Sequence, residues 1–98
     1  MLTLLAAAGL PPPVTEVVLA RRAKRDVRVD FHWPGTRVVL EALGYRWHRT
    51  ARQMQVDAER MNALQLAGNL VLQCTYRDVL AGAVNVIADL RRALVLAA

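Results

Sequence analysis

Three observations predict an α+β fold in which helices flank a mixed β-sheet. The first half of the chain carries three Val-rich segments separated by polar or Pro-Gly punctuation, and the apolar period becomes helical from Thr50 onward. One further short apolar run then stands between two helical stretches. Three strands, a helix, another strand and a helix in that order imply a layered sheet-and-helix domain and exclude a bundle or a sandwich. The expected order is (α)βββαβα, the leading helix belonging to residues before the sheet.

Taken in order, Leu2 to Ala8 is expected to form a short helix, stopped by Gly9 and by Pro11-Pro12-Pro13, which cannot continue one. Val14 to Ala20 and Asp26 to Phe31 alternate in part and frame the polar stretch Arg21 to Arg25, the pattern of a β-hairpin. Pro34-Gly35 marks a second turn. Arg37 to Leu43 is a third strand whose run Val38-Val39-Leu40 predicts burial on both faces. Met54, Ala58, Met61 and Leu64 or Gln65 recur at helical spacing, with Gly68 as a stop. Leu70 to Thr75 reads as a fourth strand, and Val84, Ile87, Leu90 or Arg91, and Leu94 mark the closing helix.

The 98 residues suit one domain, with residues 1–13 as a helical and Pro-rich lead-in, and are too few for two cores. No run approaches the roughly 20 apolar residues of a membrane helix, and the apolar opening lacks the basic flank of a secretory signal. A cytoplasmic protein with no membrane partner is expected. Cys74 is the single cysteine, which excludes an internal disulfide and a multi-thiolate zinc site, and its apolar neighbours make it a small core residue. The excess of 13 basic over 8 acidic residues favours a polyanionic partner.

The residues with chemical potential lie on the second and third strands and just beyond. If the chain turns at Pro34-Gly35, Asp30 falls opposite about residue 39, and Glu41 shares its face as a diagonal neighbour roughly 7–8 Å away. Two such carboxylates suit one hard cation, Mg²⁺ or Mn²⁺. His48 follows closely enough to return to the same end of the sheet, as activator of a water or as proton donor to a leaving oxygen. Asp57, early in the long helix, is placed to orient that imidazole. The same residues also fit plain structural roles: Asp30 capping a turn, Glu41 pairing with an Arg, His48 opening the helix and Asp57 as a solvated charge.

At these positions the sequence resembles the Vsr-like endonuclease domains, of the very-short-patch-repair type, many of them known as domain of unknown function 559, within the PD-(D/E)xK nuclease fold. The resemblance starts at Ala8-Gly9-Leu10-Pro11-Pro12-Pro13-Val14, runs through Arg28-Val29-Asp30-Phe31-His32-Trp33-Pro34 and the block Glu41 to His48, and ends near Asp78-Val79. Asp30 matches the aspartate of the family's V-D-F-x-W-P segment, Glu41 and Gly44 match its E-x-D-G segment in part, and Trp47-His48 matches its W-H pair. Asp57 matches an acid that often precedes the L-x-x-x-G segment, here Leu64 to Gly68. The family's G-W-x-V-L-R-F-T-W-x-D frame persists with substitutions from Gly68 to Asp78. Leu43, however, stands where the family has a second acid or a His, and Met61 replaces an acid of the long helix. A leucine neither binds a metal nor moves a proton.

The resemblance implies a restriction-endonuclease-like core and Mg²⁺-dependent hydrolysis of DNA by Asp30, Glu41, His48 and Asp57, with Asp30 and Glu41 as metal ligands. Leu43 argues for reduced or lost activity. Arg21, Arg22, Lys24 and Arg25 at the hairpin tip, and Arg46, Arg49 and Arg52 near Tyr45 and Trp47, are the expected phosphate contacts. Two alternatives differ in class. One is a catalytically impaired nuclease fold that binds nucleic acid or a protein partner. The other is a structural domain that pairs with a second copy through its closing helix, where Leu90, Leu94, Val95 and Leu96 offer more apolar surface than one face needs.

Overall fold

In a computed structural model the chain forms a four-stranded mixed sheet flanked by helices. The elements are α1 (Leu2–Ala7), β1 (Val14–Arg22), β2 (Arg25–His32), β3 (Val38–Leu43), α2 (Ala51–Leu66), β4 (Leu70–Thr75), α3 (Tyr76–Leu80) and α4 (Val84–Leu96). Residues 1–22, 25–43 and 50–96 are described, apart from the side chains of residues 20–26. The strands lie in the order β1-β2-β3-β4. The β1–β2 and β2–β3 pairs are antiparallel, and β4 returns through α2 to run parallel to β3. Among the described residues no helix is long and apolar enough to cross a membrane.

Strand β3 is the axis of the core. Val38, Val39 and Leu40 are each 0% exposed, as their unbroken apolar run predicts. The strand's alternation sends Val38 and Leu40 to one side, against Leu5, Trp33, Cys74, Val86 and Leu90, and Val39 to the other, against Val27, Val29 and Leu64. Helices α1 and α4 thus cover one face and α2 the other. Each large apolar side chain so enclosed contributes about 1.5–3 kcal/mol. Cys74 is a buried member of the first cluster.

The lead-in is fastened by two polar bonds. Trp33, itself buried, donates its Nε1–H to the Pro11 carbonyl at 2.9 Å, and Arg91 of α4 donates to the Ala8 carbonyl at 2.8 Å. A carbonyl at the end of α1 that the helix leaves without a partner is thereby satisfied.

The β1–β2 hairpin is irregular at two places. Between Val18↔Arg28 and Ala20↔Val27 one strand carries an extra residue, Leu19. Nearer the sheet centre, the pairs Thr15↔Phe31 and Val17↔Val29 flank Glu16 and Asp30, and Glu16 has φ +54°, an uncommon value for a non-glycine residue. Here β2 changes sides: Val29 packs toward α2, whereas Phe31, two positions on, packs into the α4 cluster. The strands also extend beyond the expected bounds. Arg21, Arg22 and Arg25 have paired backbones rather than forming a loop, with Arg21↔Asp26 and Arg22↔Arg25 in register.

Two helical faces differ from expectation. On α2 the inward positions include Asp57, Arg60, Met61, Ala63 and Leu64, while Met54 is 59% exposed and Ala58 is exposed too. The helix begins with Thr50 as N-cap: its Oγ1 accepts from the Gln53 amide at 3.1 Å and Gln53 Oε1 accepts from the Thr50 amide at 2.9 Å. On α4 the buried residues are Val86, Leu90 and Ala93, with Val84 turned outward, and Val95 and Leu96 are also exposed. The short helix α3 adds one element to the expected order. It starts from Thr75, whose Oγ1 accepts from the Asp78 amide at 3.2 Å while Asp78 Oδ2 accepts from the Thr75 amide at 2.7 Å.

Helix α2 ends as Gly68 predicts. Gly68 has φ +88°, its amide bonds to the Gln65 carbonyl at 3.0 Å and the Asn69 amide reaches the Leu64 carbonyl at 3.2 Å, a paired closure that requires a left-handed residue. A Cβ at Gly68 would meet nothing within 4 Å, so the cost of adding one is conformational and not steric. Gly68→Ala is expected to lower stability by about 1 kcal/mol, read as a fall in the urea midpoint at unchanged slope.

Candidate functional site

Beyond Phe31↔Leu40 and His32↔Val39, β2 and β3 part company, and side chains take over bonds that a ladder would make. Asp30 Oδ2 accepts from the Ala42 amide of β3 at 2.8 Å. Arg60 of α2 donates to the Arg28 carbonyl of β2 and, at 2.6 Å, to Oε1 of Glu41. The opening bounded by these groups is a cleft of about 250 Å³. Asp30, Glu41, Asp57 and Arg60 line it together with Leu43, Met61, Gln73 and the Ala42 backbone.

The expected meeting of Asp30 and Glu41 is therefore observed, with a changed register. Continuing the paired register from Phe31↔Leu40 puts Asp30 across from Glu41 itself, not from residue 39. The turn at Pro34-Gly35 consumes more chain than a tight two-residue loop, because Thr36 folds back: its Oγ1 donates to the Trp33 carbonyl at 2.7 Å and accepts from the Val38 amide at 3.1 Å. The shared face survives because the shift is even.

Glu41 is the only charged residue in the buried set among the described residues, at 5% exposure. Burial pushes its carboxyl above the ordinary value; the Arg60 guanidinium pulls the other way, and the adjacent Asp30 carboxylate adds to the rise. Asp30 is half-buried, and so is Asp57, one helical turn before Arg60 on α2. The arrangement is a pair of neighbouring carboxylates with a third nearby and a single guanidinium bonded between Glu41 and the β2 backbone.

Two of these groups, Arg60 and Gln73, were not among the sequence-predicted residues. Arg60 follows Asp57 by three positions and precedes Leu64 by four, so all three share one helical face, a spacing visible in the sequence. Gln73 follows the apolar run Leu70-Val71-Leu72 of β4 and lies beside Glu41 in the parallel register. Leu43, predicted to stand where an acid is usual, lines the cleft.

Of the remaining predicted residues, His48, Lys24, Arg46 and Arg49 lie outside the described residues, as do Tyr45 and Trp47. Arg21, Arg22 and Arg25 are in the paired far end of the hairpin, where only the backbone is described. Arg52 is exposed in the first turn of α2.

The donor set fits a hard divalent cation in part. Asp30 and Glu41 present carboxylate oxygens side by side, and Mg²⁺ is commonly held by one or two carboxylates while water and a substrate phosphate complete its shell. Among the described residues no group of three or more His, Cys, Asp or Glu side chains could hold a metal alone. A cation between Asp30 and Glu41 would also have to share Glu41 with Arg60.

The raised Glu41 carboxyl has a sign that can be checked. Between its ordinary value of 4.5 and its higher folded value, the folded chain binds more protons than the unfolded one, so this group's contribution to stability is present at low pH and lost as pH rises through the window. The urea midpoint of the wild type, taken relative to Glu41→Gln, is expected to fall from pH 4.5 upward; a rising difference would overturn the assignment. Compared with protein-family models, characterised proteins and solved structures, the chain matches none of them.

Proposed function

We propose that this chain is a divalent-metal endonuclease domain of the Vsr-like kind acting on DNA in the cytoplasm, its site centred on the cleft between β2, β3 and α2. The observation that carries the reading is the convergence of Asp30 and Glu41 from two strands, with Asp57 and Arg60 from a helix, around one opening. Strand alternation and spacing point to the same acids in the sequence, and they match a nuclease motif in part. In this reading Asp30 and Glu41 hold Mg²⁺ or Mn²⁺, which when bound supplies Lewis acidity toward the phosphate oxygen and toward water.

The chain's own groups do the rest. Arg60, with a side chain 32% exposed in the cleft, offers a fixed positive charge to a phosphate. His48 accepts a proton from the attacking water or delivers one to the leaving oxygen, and Asp57 orients it. The surplus of basic residues, including Arg21, Arg22, Lys24 and Arg25 on the hairpin and Arg46, Arg49 and Arg52 around the start of α2, binds the backbone without choosing a sequence.

A specific observation favours a second reading, a nuclease fold that binds nucleic acid without cutting it. Leu43 brings an apolar side chain to the lining of the cleft. Pairing of two copies through α4 is a separate proposal, supported by the exposed Val84, Val95 and Leu96.

Supercoiled and mismatched duplexes incubated with Mg²⁺ or Mn²⁺ are expected to be nicked by the wild type, and to be nicked at least 100-fold more slowly by His48→Ala, on the order of what one acid–base group supplies. Equal nicking by both proteins removes the enzyme reading. Under the impaired reading the wild type is silent and Leu43→Asp gains cleavage. In either case retention on DNA should weaken steeply with added salt, and a flat response counts against phosphate contacts.

A further inference from the structure

The cleft brings neighbouring carboxylates together with one cation already in place. Arg60 bonds Glu41 Oε1 at 2.6 Å with the same Nη2 that reaches the Arg28 carbonyl. Its guanidinium therefore offsets part of the cost of a charged Glu41 beside Asp30. A divalent ion between these two carboxylates would offset that cost more strongly. It would lie at about 2.1 Å from the carboxylate oxygens it binds, so the guanidinium and the ion cannot share Oε1 without two positive charges coming within a few ångströms of each other.

We infer that Arg60 is a built-in competitor of the divalent cation: its guanidinium and a metal ion are alternative partners of Glu41 Oε1, and a metal that takes this oxygen displaces Arg60 from it. The inference rests on the reading of Asp30 and Glu41 as metal ligands and adds a control element to it. Two features make the exchange feasible. A third of the Arg60 side chain is open to solvent, so the group is not locked in the core. The guanidinium also lines the open cleft, where an incoming phosphate would be an anion for it to turn to. Arg60 is on this account a positioning residue for metal entry, and an anion that draws it off Glu41 strengthens metal binding.

The test is Mn²⁺ affinity, measured by titration calorimetry on the intact chain without DNA. Arg60→Gln is expected to bind Mn²⁺ at least about tenfold more tightly than the wild type, because the metal no longer has to break the Arg60–Glu41 ion pair, and adding Asp30→Asn should abolish the gain. A merely structural role for Arg60 predicts the reverse, since a damaged site binds less. Equal or weaker binding by Arg60→Gln, with measurable binding by the wild type, overturns the inference and leaves the metal-site reading standing. No binding by either protein overturns both. A second measurement needs no variant: in the wild type, Mg²⁺ titrated to saturation should shift the Arg60 Nη–H resonances and speed their exchange with solvent, since Nη2 makes the bond to Glu41. Saturation with those resonances unmoved overturns the inference.

Discussion

A charge at the end of a strand buried on both faces is the constraint around which this structure is arranged. Val38, Val39 and Leu40 run through the middle of the domain without solvent contact, and the next residue is Glu41, still only 5% exposed. A carboxylate there demands compensation, because an unpaired buried charge costs several kcal/mol. Arg60 supplies it, and doing so fixes the rotation of α2 about its axis: the face bearing Arg60 must look at β3, so Asp57, Met61 and Leu64 look there too. Leu64 then closes the small apolar cluster with Val27, Val29 and Val39, while Asp57 is carried to the cleft.

The same interaction accounts for the shape of the hairpin. Arg60 takes the Arg28 carbonyl and Asp30 takes the Ala42 amide, so backbone groups on the strands flanking the gap are satisfied by side chains. That lets β2 diverge from β3 while its backbone remains bonded, and the change of side between Val29 and Phe31, with the positive φ of Glu16 opposite, is the local distortion that accompanies it. Fold and cleft are two descriptions of one arrangement.

Much of this was legible in the sequence where a single physical rule governs. An unbroken apolar run fixed β3 as the doubly covered strand, Gly68 marked the end of α2, and alternation placed Asp30 and Glu41 on a common face even though the loop shifted their register by two. Legibility failed where two demands compete for one element. The stripe through Met54 and Ala58 assumed that α2 turns its most apolar side inward along its whole length. Only its last turns meet the core, its middle borders the cleft and residues 51–56 are exposed, so charged Asp57 and Arg60 are inward while Met54 is exposed. Helix α3 escaped notice because it is a single turn with Asp in place of the usual Glu or Gln in its capping box. The extension of β1 and β2 through the arginines was hidden because strand propensity there is weak and backbone pairing decides.

Asp30, Glu41 and Arg60 all have structural work to do, and the question is whether that work is enough to explain them. Each backbone bond uses one oxygen or one nitrogen, and an uncharged Asn or Gln would serve the Ala42 amide and the Arg28 carbonyl as well. Buried ion pairs are often matched or exceeded in stability by apolar residues of similar volume, so stability alone does not call for a glutamate next to an aspartate. Burial raises the cost of ionising Glu41, and the Asp30 carboxylate beside it adds to that rise against the pull of Arg60. The charges also open onto solvent through a cleft instead of being sealed in the core, which is where a ligand of opposite charge gains from them. A pair of carboxylates held beside a guanidinium at the mouth of a cleft is an arrangement that stability alone does not explain.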